Sequence, residues 1–542
     1  MSSTSGAGGL ARASALMASG SFVSRVLGVV RASMIMAVFG MSLAGDAWSV
    51  ANMLPNTIYT LLAGGVLNAV LVPQITKAQN QPDGGREYVD KLLTLSILVL
   101  AAITAVCIPL TPLLVKLMTS DKFTDEAFAL SVAFSYIVMP AIFFYGLYAL
   151  LGQVLNAKEK FGWFMWSPVL CNIVWIAGLA WFMNEYGRGL GDPTSFDERM
   201  VLILAGSLTL GVGLQALVLI VPLATSGFRY RPRFGFRGVG LRAVGRVAGW
   251  TFAALVIAQL GLIVQSRVLT SVTGGYPGKI PYDQAFLLFM TPHGLITVSL
   301  VTALFTSMSK AAASKDPTAV KTDFRRGSNL IGVATIPITL GTLALGTALT
   351  GAIFAGNSRP ATDAIGYLTM AMMVGLPAYG IYYLVTRAFL AHEDAKTPFL
   401  MQLVNTGIGV GLTLAALMLD DEWRALAVAS SQALANVVSA IIAVAWLRRR
   451  LGDLGLAKTV RTWVRVTVAS LPAAVVAWGV FIACQELIGG RVAMLVALAV
   501  GGPVFVAMYV AACRRMRVDE IRSLLDVVTT RFGKRRVAAP TA

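Results

Sequence analysis

The chain has 542 residues, is 56% hydrophobic and only 13% charged, and has a mean hydropathy of +0.73. Soluble domains are about 25% charged, so the composition argues against a soluble enzyme, and its hydrophobicity excludes long disordered regions. What remains is an all-α polytopic membrane protein, whose net charge of +18 reflects the sorting of loops across a bilayer and not nucleic-acid binding.

With spans of about 20–25 residues, the apolar runs predict about 14 transmembrane helices. They lie near 10–39, 46–76, 91–117, 126–155, 161–184, 199–225, 243–268, 282–310, 327–353, 361–390, 397–419, 425–447, 463–485 and 490–513. The first run, Leu10 to Gly40, is too long for a signal-peptide core and carries Arg25 and Arg31, so it reads as a helix that stays in the membrane. Short polar segments separate the runs, among them Gln81 to Gly85, Gly187 to Asp197, Gly274 to Gly278 and Asp420 to Glu422. The runs do not alternate, which argues against a β-barrel. Cys107, Cys171, Cys484 and Cys513 are scattered and read as packing residues, with no metal site and no disulfide framework expected.

Loop charge sets the orientation. With the N-terminus cytoplasmic, cytoplasmic segments hold 32 Lys/Arg and 12 Asp/Glu, and outer loops hold 9 and 14. Arg25, Arg31 and Arg387 fall inside helices. This positive-inside bias predicts a multi-pass protein with both termini cytoplasmic. The basic stretches Arg229 to Arg246, Arg448 to Arg450 and Arg531 to Arg536 read as anchors beside anionic headgroups.

Three marks recur at nearly one offset. Asp46 and Pro55 match Asp283 and Pro292 at 237, each with Met two residues before the proline (Met53, Met290). Lys77 matches Lys310 at 233, and Ala157-Lys158-Glu159 matches Ala391-His392-Glu393 at 234. An offset of six helices preserves orientation, so the marks predict two parallel six-helix lobes, 1–228 and 229–450, followed by a C-terminal helix pair and basic tail, 451–542. Transporters are often built this way.

Arg25 and Arg31 are the sharpest candidates. An arginine at a helix centre costs about 2.5–3.5 kcal/mol on insertion scales. Two on one helix ask for water, an anion or a carboxylate. Six residues apart, they lie about 9 Å apart along the axis and roughly 120° apart around it, so both can border one wide cavity. The planar guanidinium suits phosphate through paired, charge-assisted hydrogen bonds. The alternative is structural: Arg25 pairs with a helix-end carbonyl or snorkels. The repeat offset places Gln259 and Gln265 at the matching positions of the second lobe.

Asp46 reads as an N-cap of the second helix or as a gating partner for an arginine. Asn52 and Asn56 flank Pro55, whose break in the helix can line a cavity or merely kink it. Arg387 either snorkels or faces a central cavity, and Arg267 is interfacial. His293 follows Pro292 in an apolar stretch and is either a packing residue or a proton-sensitive gate. No Ser-His-Asp set, HExxH, P-loop or paired-carboxylate motif is evident, so enzymatic chemistry is not expected.

The segments Ser24-Arg25-Val26-Leu27-Gly28-Val29-Val30-Arg31, Phe39-Gly40, Asp46-Ala47-Trp48, Leu54-Pro55-Asn56 and Val72-Pro73 resemble the N-terminal signature of the MurJ (MviN) lipid II flippases, within the multidrug/oligosaccharidyl-lipid/polysaccharide exporter superfamily. Val154 to Ala157 and Asp394 to Pro398 agree. The resemblance implies a flippase that moves undecaprenyl-diphosphate-linked peptidoglycan precursor (lipid II) from the inner to the outer leaflet of the bacterial cytoplasmic membrane by alternating access. It implies Arg25, Arg31 and Asp46 in the cavity, while the residues themselves, apart from the resemblance, point to Asn52, Asn56, Gln259, Gln265 and Arg387 as further substrate contacts and to Asp46 and His293 as gates. Helices 13 and 14 would form a groove for the lipid tail. No cofactor is implied beyond coupling to the membrane potential or a monovalent cation. The partners implied are lipid II, membrane lipids and cell-wall synthesis proteins, with the chain itself a monomer. The chain departs from the family where an arginine is common after Leu-Pro (Tyr59 here), where a glutamate precedes the next glycine (Gly64) and where helix 8 carries an arginine (Leu287). The competing expectations are an exporter of another lipid-linked saccharide or drug, and a non-transporting cell-wall scaffold.

Overall fold

The computed structural model describes residues 5–62, 86–157, 160–226, 230–234, 245–518 and 520–521. Among these residues there are nineteen α-helices and no strand. In chain order they are α1 (Ser5–Phe39), α2 (Leu43–Leu62), α3 (Arg86–Cys107), α4 (Thr111–Met118), α5 (Asp125–Val138), α6 (Ala141–Ala157), α7 (Phe161–Tyr186), α8 (Glu198–Leu217), α9 (Ile220–Thr225) and α10 (Gly245–Leu269). The rest are α11 (Lys279–Pro292), α12 (Val298–Ala313), α13 (Pro317–Ile353), α14 (Arg359–Met373), α15 (Leu376–Ala391), α16 (Lys396–Ala415), α17 (Asp421–Leu451), α18 (Leu456–Leu487) and α19 (Gly490–Arg515).

Among the described residues, twelve segments are long and apolar enough to cross a membrane, and α14 with α15, bent by 47°, makes thirteen if the pair is one span. The remaining expected span is α2, whose described part stops at Leu62. Lys77, Lys158, Glu159, Gly64, Val72, Pro73, the 81–85 turn, most of the 229–246 stretch and the 531–536 tail lie outside the described residues.

Several expected single helices are two. The 91–117 run breaks at Ile108–Leu110 around Pro109, and the 126–155 run at Met139 and Pro140. The 361–390 run breaks at Val374 and Gly375, just ahead of Pro377. Proline cannot donate to the carbonyl four residues earlier, and in hydrocarbon that carbonyl needs another donor. The described chain supplies hydroxyls. Tyr148 and Ser167 donate to Phe164 O, which Pro168 leaves free, both at 3.2 Å. Thr339 donates to Met373 O at 2.9 Å, which Pro377 leaves free. Tyr509 donates to Val333 O at 2.7 Å, which Pro337 leaves free.

The chain divides into two compact units. The first comprises Met1–Gln284, Ile353–Ala364 and Ala395–Val428. Here α1 packs along α7, α7 along α8, α2 along α5, and α10 along α16. Close approach uses small residues: a Cβ on Gly211 of α8 would stand 2.9 Å from the Cys171 carbonyl of α7. An aromatic cluster forms a rigid core. Trp48 stacks on Phe39 at 5.8 Å and meets Phe134 edge-on at 5.2 Å and Trp175 at 6.1 Å.

The second unit comprises Ala285–Ala352, Ile365–Asp394 and Ala429–Ala542. Its C-terminal helices α18 and α19 pair closely. Ala473, Ala477, Ala493 and Ala497 are fully buried there, so the helices approach without large side chains between them. Between α11 and α12, His293–Thr297 forms a π-turn in which Val298 N donates to His293 O.

Candidate functional site

Arg31 is held on two sides in the first unit. Its Nη1 donates to Asn172 Oδ1 at 2.8 Å, and its Cζ stands 4.0 Å from the Trp175 ring centre. Asn172 and Trp175 lie three residues apart on α7, on the face that α1 packs against. Asn172 Nδ2 donates to Ser24 O at 3.1 Å, Ser24 Oγ at 3.2 Å and Pro168 O at 3.1 Å. One amide thus ties α1 to α7 at two points and fixes the guanidinium between them. Charge-assisted bonding and cation–π stacking offset the cost of an arginine in an apolar span. The Arg31 Nε is buried without a partner among the described residues.

Arg25 is exposed and makes no hydrogen bond among the described residues. The angular separation of the two arginines accounts for this. Arg31 faces α7, and Arg25 points to another side of α1.

Asp46 is not the cap of its own helix. Ser42 is: Gly45 N donates to Ser42 Oγ at 3.2 Å. Asp46 lies in the first turn of α2, so its side chain reaches elsewhere. Its Oδ1 accepts from Ile280 N of α11 at 2.7 Å, and the residue is only 3% exposed. A carboxylate at a helix N-terminus satisfies an orphan donor and complements the dipole. Gly278 precedes α11 because a Cβ there would collide with the Asp46 carboxylate. Beside it, the buried Lys279 pairs with Asp283 at 3.0 and 3.1 Å. Asp46 and its repeat counterpart Asp283 thus serve the same helix start.

On α10, Gln265 Nε2 donates to Tyr282 OH at 2.7 Å, whereas Gln259 Oε1 is buried without a partner among the described residues. No hydrogen bond joins these glutamines to Arg25 or Arg31 among the described residues. Asn52 is half-buried and Asn56 exposed on α2. Tyr59, at the position of a common family arginine, packs on Tyr145 at 5.5 Å. Arg267 donates to Lys116 O at 3.0 Å and lies 3.5 Å from Asp121, an end-of-helix setting as expected.

The second unit brings His293 and Arg387 onto one ladder. Tyr379, Tyr383 and Arg387 are spaced four residues apart on one face of α15. The His293 ring lies 4.4 Å from Tyr379 and 5.5 Å from Tyr383. Arg387 Nη2 donates to Tyr383 OH at 2.8 Å, and its Cζ sits 5.6 Å from the Phe305 ring centre. His293 is 2% exposed, and its Nδ1 has no partner among the described residues. Leu287, where the family commonly has an arginine, is half-buried on α11.

Sequence reasoning missed Asn172, Trp175, Lys279 and Arg424. Arg424 is buried, donates to Ser271 O at 3.1 Å and Leu419 O at 3.0 Å, and pairs with Asp421. The available signal for Asn172 was an amide at the middle of the apolar run 161–184, where Asn184 stands only at the end.

The comparisons with known proteins bear on this arrangement. The family model described as lipid II flippase MurJ matches residues 35–498. A lipid II flippase MurJ from Burkholderia cenocepacia is 30% identical over 396 residues, covering 72% of this chain and 73% of the relative. A probable lipid II flippase MurJ from Rhizobium meliloti is 24% identical over 436 residues, covering 78% of each. A solved lipid II flippase MurJ in an inward closed conformation superposes with a TM-score of 0.72 at 19% identity, covering 92% of this chain and 99% of that one. A transporter of the wider MOP superfamily from Pyrococcus furiosus superposes at 0.59 with 15% identity, covering 82% and 96%; at such identities both structures speak for the fold alone. With its family model matched across most of its length, this multi-pass membrane chain belongs to the lipid II flippase MurJ family.

Proposed function

We propose that this lipid II flippase carries its substrate from the inner to the outer leaflet by alternating access between two parallel six-helix lobes, with both termini cytoplasmic. The observation that carries this reading is the fixed guanidinium of Arg31, oriented by Asn172 and Trp175 inside an apolar span. Pre-ordering an arginine in this way suits recognition of a lipid diphosphate, because the side chain loses little freedom on binding. Arg25, exposed on the same helix, is the second cation for that group. Asn52, Asn56, Gln259, Gln265 and Arg387 supply further polar contacts.

Asp46 acts at the outer gate. Its bond to the start of α11 holds α2 against α11, and breaking it frees both helix ends. His293 belongs to a second gate, within its aromatic ladder. Moving an anionic headgroup outward is favoured by an inside-negative potential, at about 2.3 kcal/mol per charge per 100 mV. The potential or a monovalent cation therefore drives the cycle, and the protein makes and breaks no covalent bond. It acts as a monomer alongside cell-wall synthesis proteins.

The test is depletion of the native protein in its bacterium, complementation with Arg25→Ala or Arg31→Ala, and a leaflet-resolved assay of lipid II. Loss of a hydrogen bond to a charged group costs about 1.5–3 kcal/mol. The expected result is a roughly 10- to 100-fold slower appearance of lipid II outside, at matched protein levels. Normal exposure with either variant would overturn the role of that arginine. Complementation of growth without any flipping would favour the scaffold, and transport of other lipid-linked saccharides in vesicles would favour the broader exporter.

A further inference from the structure

A cleft in the second unit is unlike the polar surroundings of the arginines. It has a volume of 370 Å³ and lies among α13, α15, α17 and α18. Its walls are almost wholly apolar, including Phe324, Ile441, Val444, Val460 and Trp463. Two of the polar groups nearby are already used, while Thr459 Oγ1 is buried without a partner among the described residues. Ser328 Oγ donates to Phe324 O at 2.8 Å, and Trp463 Nε1 donates to Ser328 O at 3.0 Å. Ile441 and Val460 are 65% and 59% exposed, so the cleft opens sideways between apolar flanks. Such a slot suits a hydrocarbon chain and offers little to a sugar or peptide.

One end of the cleft is strongly basic. Leu456 and Thr459, in the first turn of α18, line it, and the Gly452–Gly455 turn precedes them. Lys321 and Arg325 of α13 reach that turn. Lys321 Nζ would stand 3.7 Å from a Cβ on Gly452, and Arg325 Nη1 would stand 3.0 Å from one on Gly455. Gly455 has φ +66°, so its lack of a side chain serves both the backbone and the arginine. Arg448, in the last turn of α17, is exposed and shares the helix face of Ile441 and Val444, whereas the exposed Lys458 and Arg461 lie on the side of α18 away from Thr459 and Trp463. Against these cations stand Asp323 and Asp453, and Asp453 Oδ1 already accepts from Gly455 N at 3.1 Å. The loop charges assign this end to the cytoplasmic leaflet, where anionic lipids meet basic pockets between helices.

We propose that this cleft binds a resident anionic glycerophospholipid, with one acyl chain between α17 and α18 and the phosphate on Lys321, Arg325 and Arg448. The occupant is a lipid of the surrounding leaflet and not the transported polyprenyl lipid. The charge at the mouth selects it, and the cleft anchors it.

Trp463 gives a direct probe. The full chain and its Trp463→Phe variant are placed in vesicles containing either brominated phosphatidylglycerol or brominated phosphatidylcholine, and the difference between the two proteins isolates the Trp463 emission. The expected result is half-quenching at a phosphatidylglycerol fraction roughly fivefold lower per engaged cation, the factor equivalent to about 1 kcal/mol. Lys321→Glu with Arg448→Glu should erase the preference, and Val444→Phe should weaken quenching by both lipids. Mass spectrometry of lipid retained by the purified protein provides a second readout, independent of tryptophan, with phosphatidylglycerol retained by the wild type and lost on charge reversal. Equal quenching by both lipids, or a preference that survives charge reversal, would overturn the proposal. So would displacement by undecaprenyl diphosphate at equimolar protein, which would assign the cleft to the substrate.

Discussion

Arg31 and Arg387 both sit inside apolar helices, yet they are restrained in opposite ways. Arg31 is bonded to a residue 141 positions away on another helix, so its place depends on how α1 meets α7. Arg387 is bonded to Tyr383, four residues back on its own helix, so it travels with α15. The first arrangement fixes a cation relative to a neighbouring helix. The second bonds a cation to its own helix, with the Phe305 ring of α12 beside it.

The contrast can be broken most forcefully at Asn172. Asn172→Leu leaves the Arg31 guanidinium without its acceptor and Ser24 without its donor, at a cost of about 1–3 kcal/mol. Thermal unfolding in detergent should fall clearly, and lipid II exposure should fall about tenfold or more. Asn172→Asp keeps an acceptor for Arg31 and should retain most of the transport. An unchanged Asn172→Leu protein would show that Trp175 alone suffices to hold the arginine.

A smaller effect is expected at Asp46, where two variants separate helix capping from charge. Loss of a cap costs about 1 kcal/mol. Asp46→Ala should therefore lose stability, while Asp46→Asn, which still presents an acceptor to Ile280 N, should not. If Asp46→Asn nevertheless stops transport at normal stability, the negative charge itself serves the gate. The smallest effect belongs to Tyr383→Phe, which removes the hydroxyl bonded to Arg387 and leaves both rings for cation–π contact. A neutral intramolecular bond is worth about 0.5–1.5 kcal/mol, so transport should fall severalfold at most. A loss matching that of Asn172→Leu would erase the distinction between the two arginines.

The membrane helices and both α1 arginines were legible because charge stands out against an apolar background. Their partners were not, because an asparagine 141 residues from Arg31 carries no local mark of the contact. Lys279 and Arg424 were missed for a different reason. The expected helices began at 282 and 425, but the structure starts them at Lys279 and Asp421, so both cations read as loop residues. Asp46 reads from the sequence as the cap of α2 or as a gating partner for an arginine, and the structure corrects the first alternative, since Asp46 accepts from Ile280 N of α11. Periodicity cannot reveal that a side chain in a first turn satisfies the backbone of another helix. Prolines 109, 140 and 377 were visible too. What the sequence did not show is which group takes the carbonyl a proline frees, because for Pro377 and Pro337 the donors, Thr339 and Tyr509, come from distant segments.

The π-turn at His293–Thr297 has a geometric consequence for everything after it. A π-turn accommodates one residue more than an α-turn does, and each α-helical residue advances about 100° and 1.5 Å. The extra residue therefore acts like a crank throw, phasing α12 so that Val301, Leu304 and Met308 point into the packed interior. Deleting one residue within 293–297 would rewind that crank by about a third of a revolution and swing those three side chains outward together.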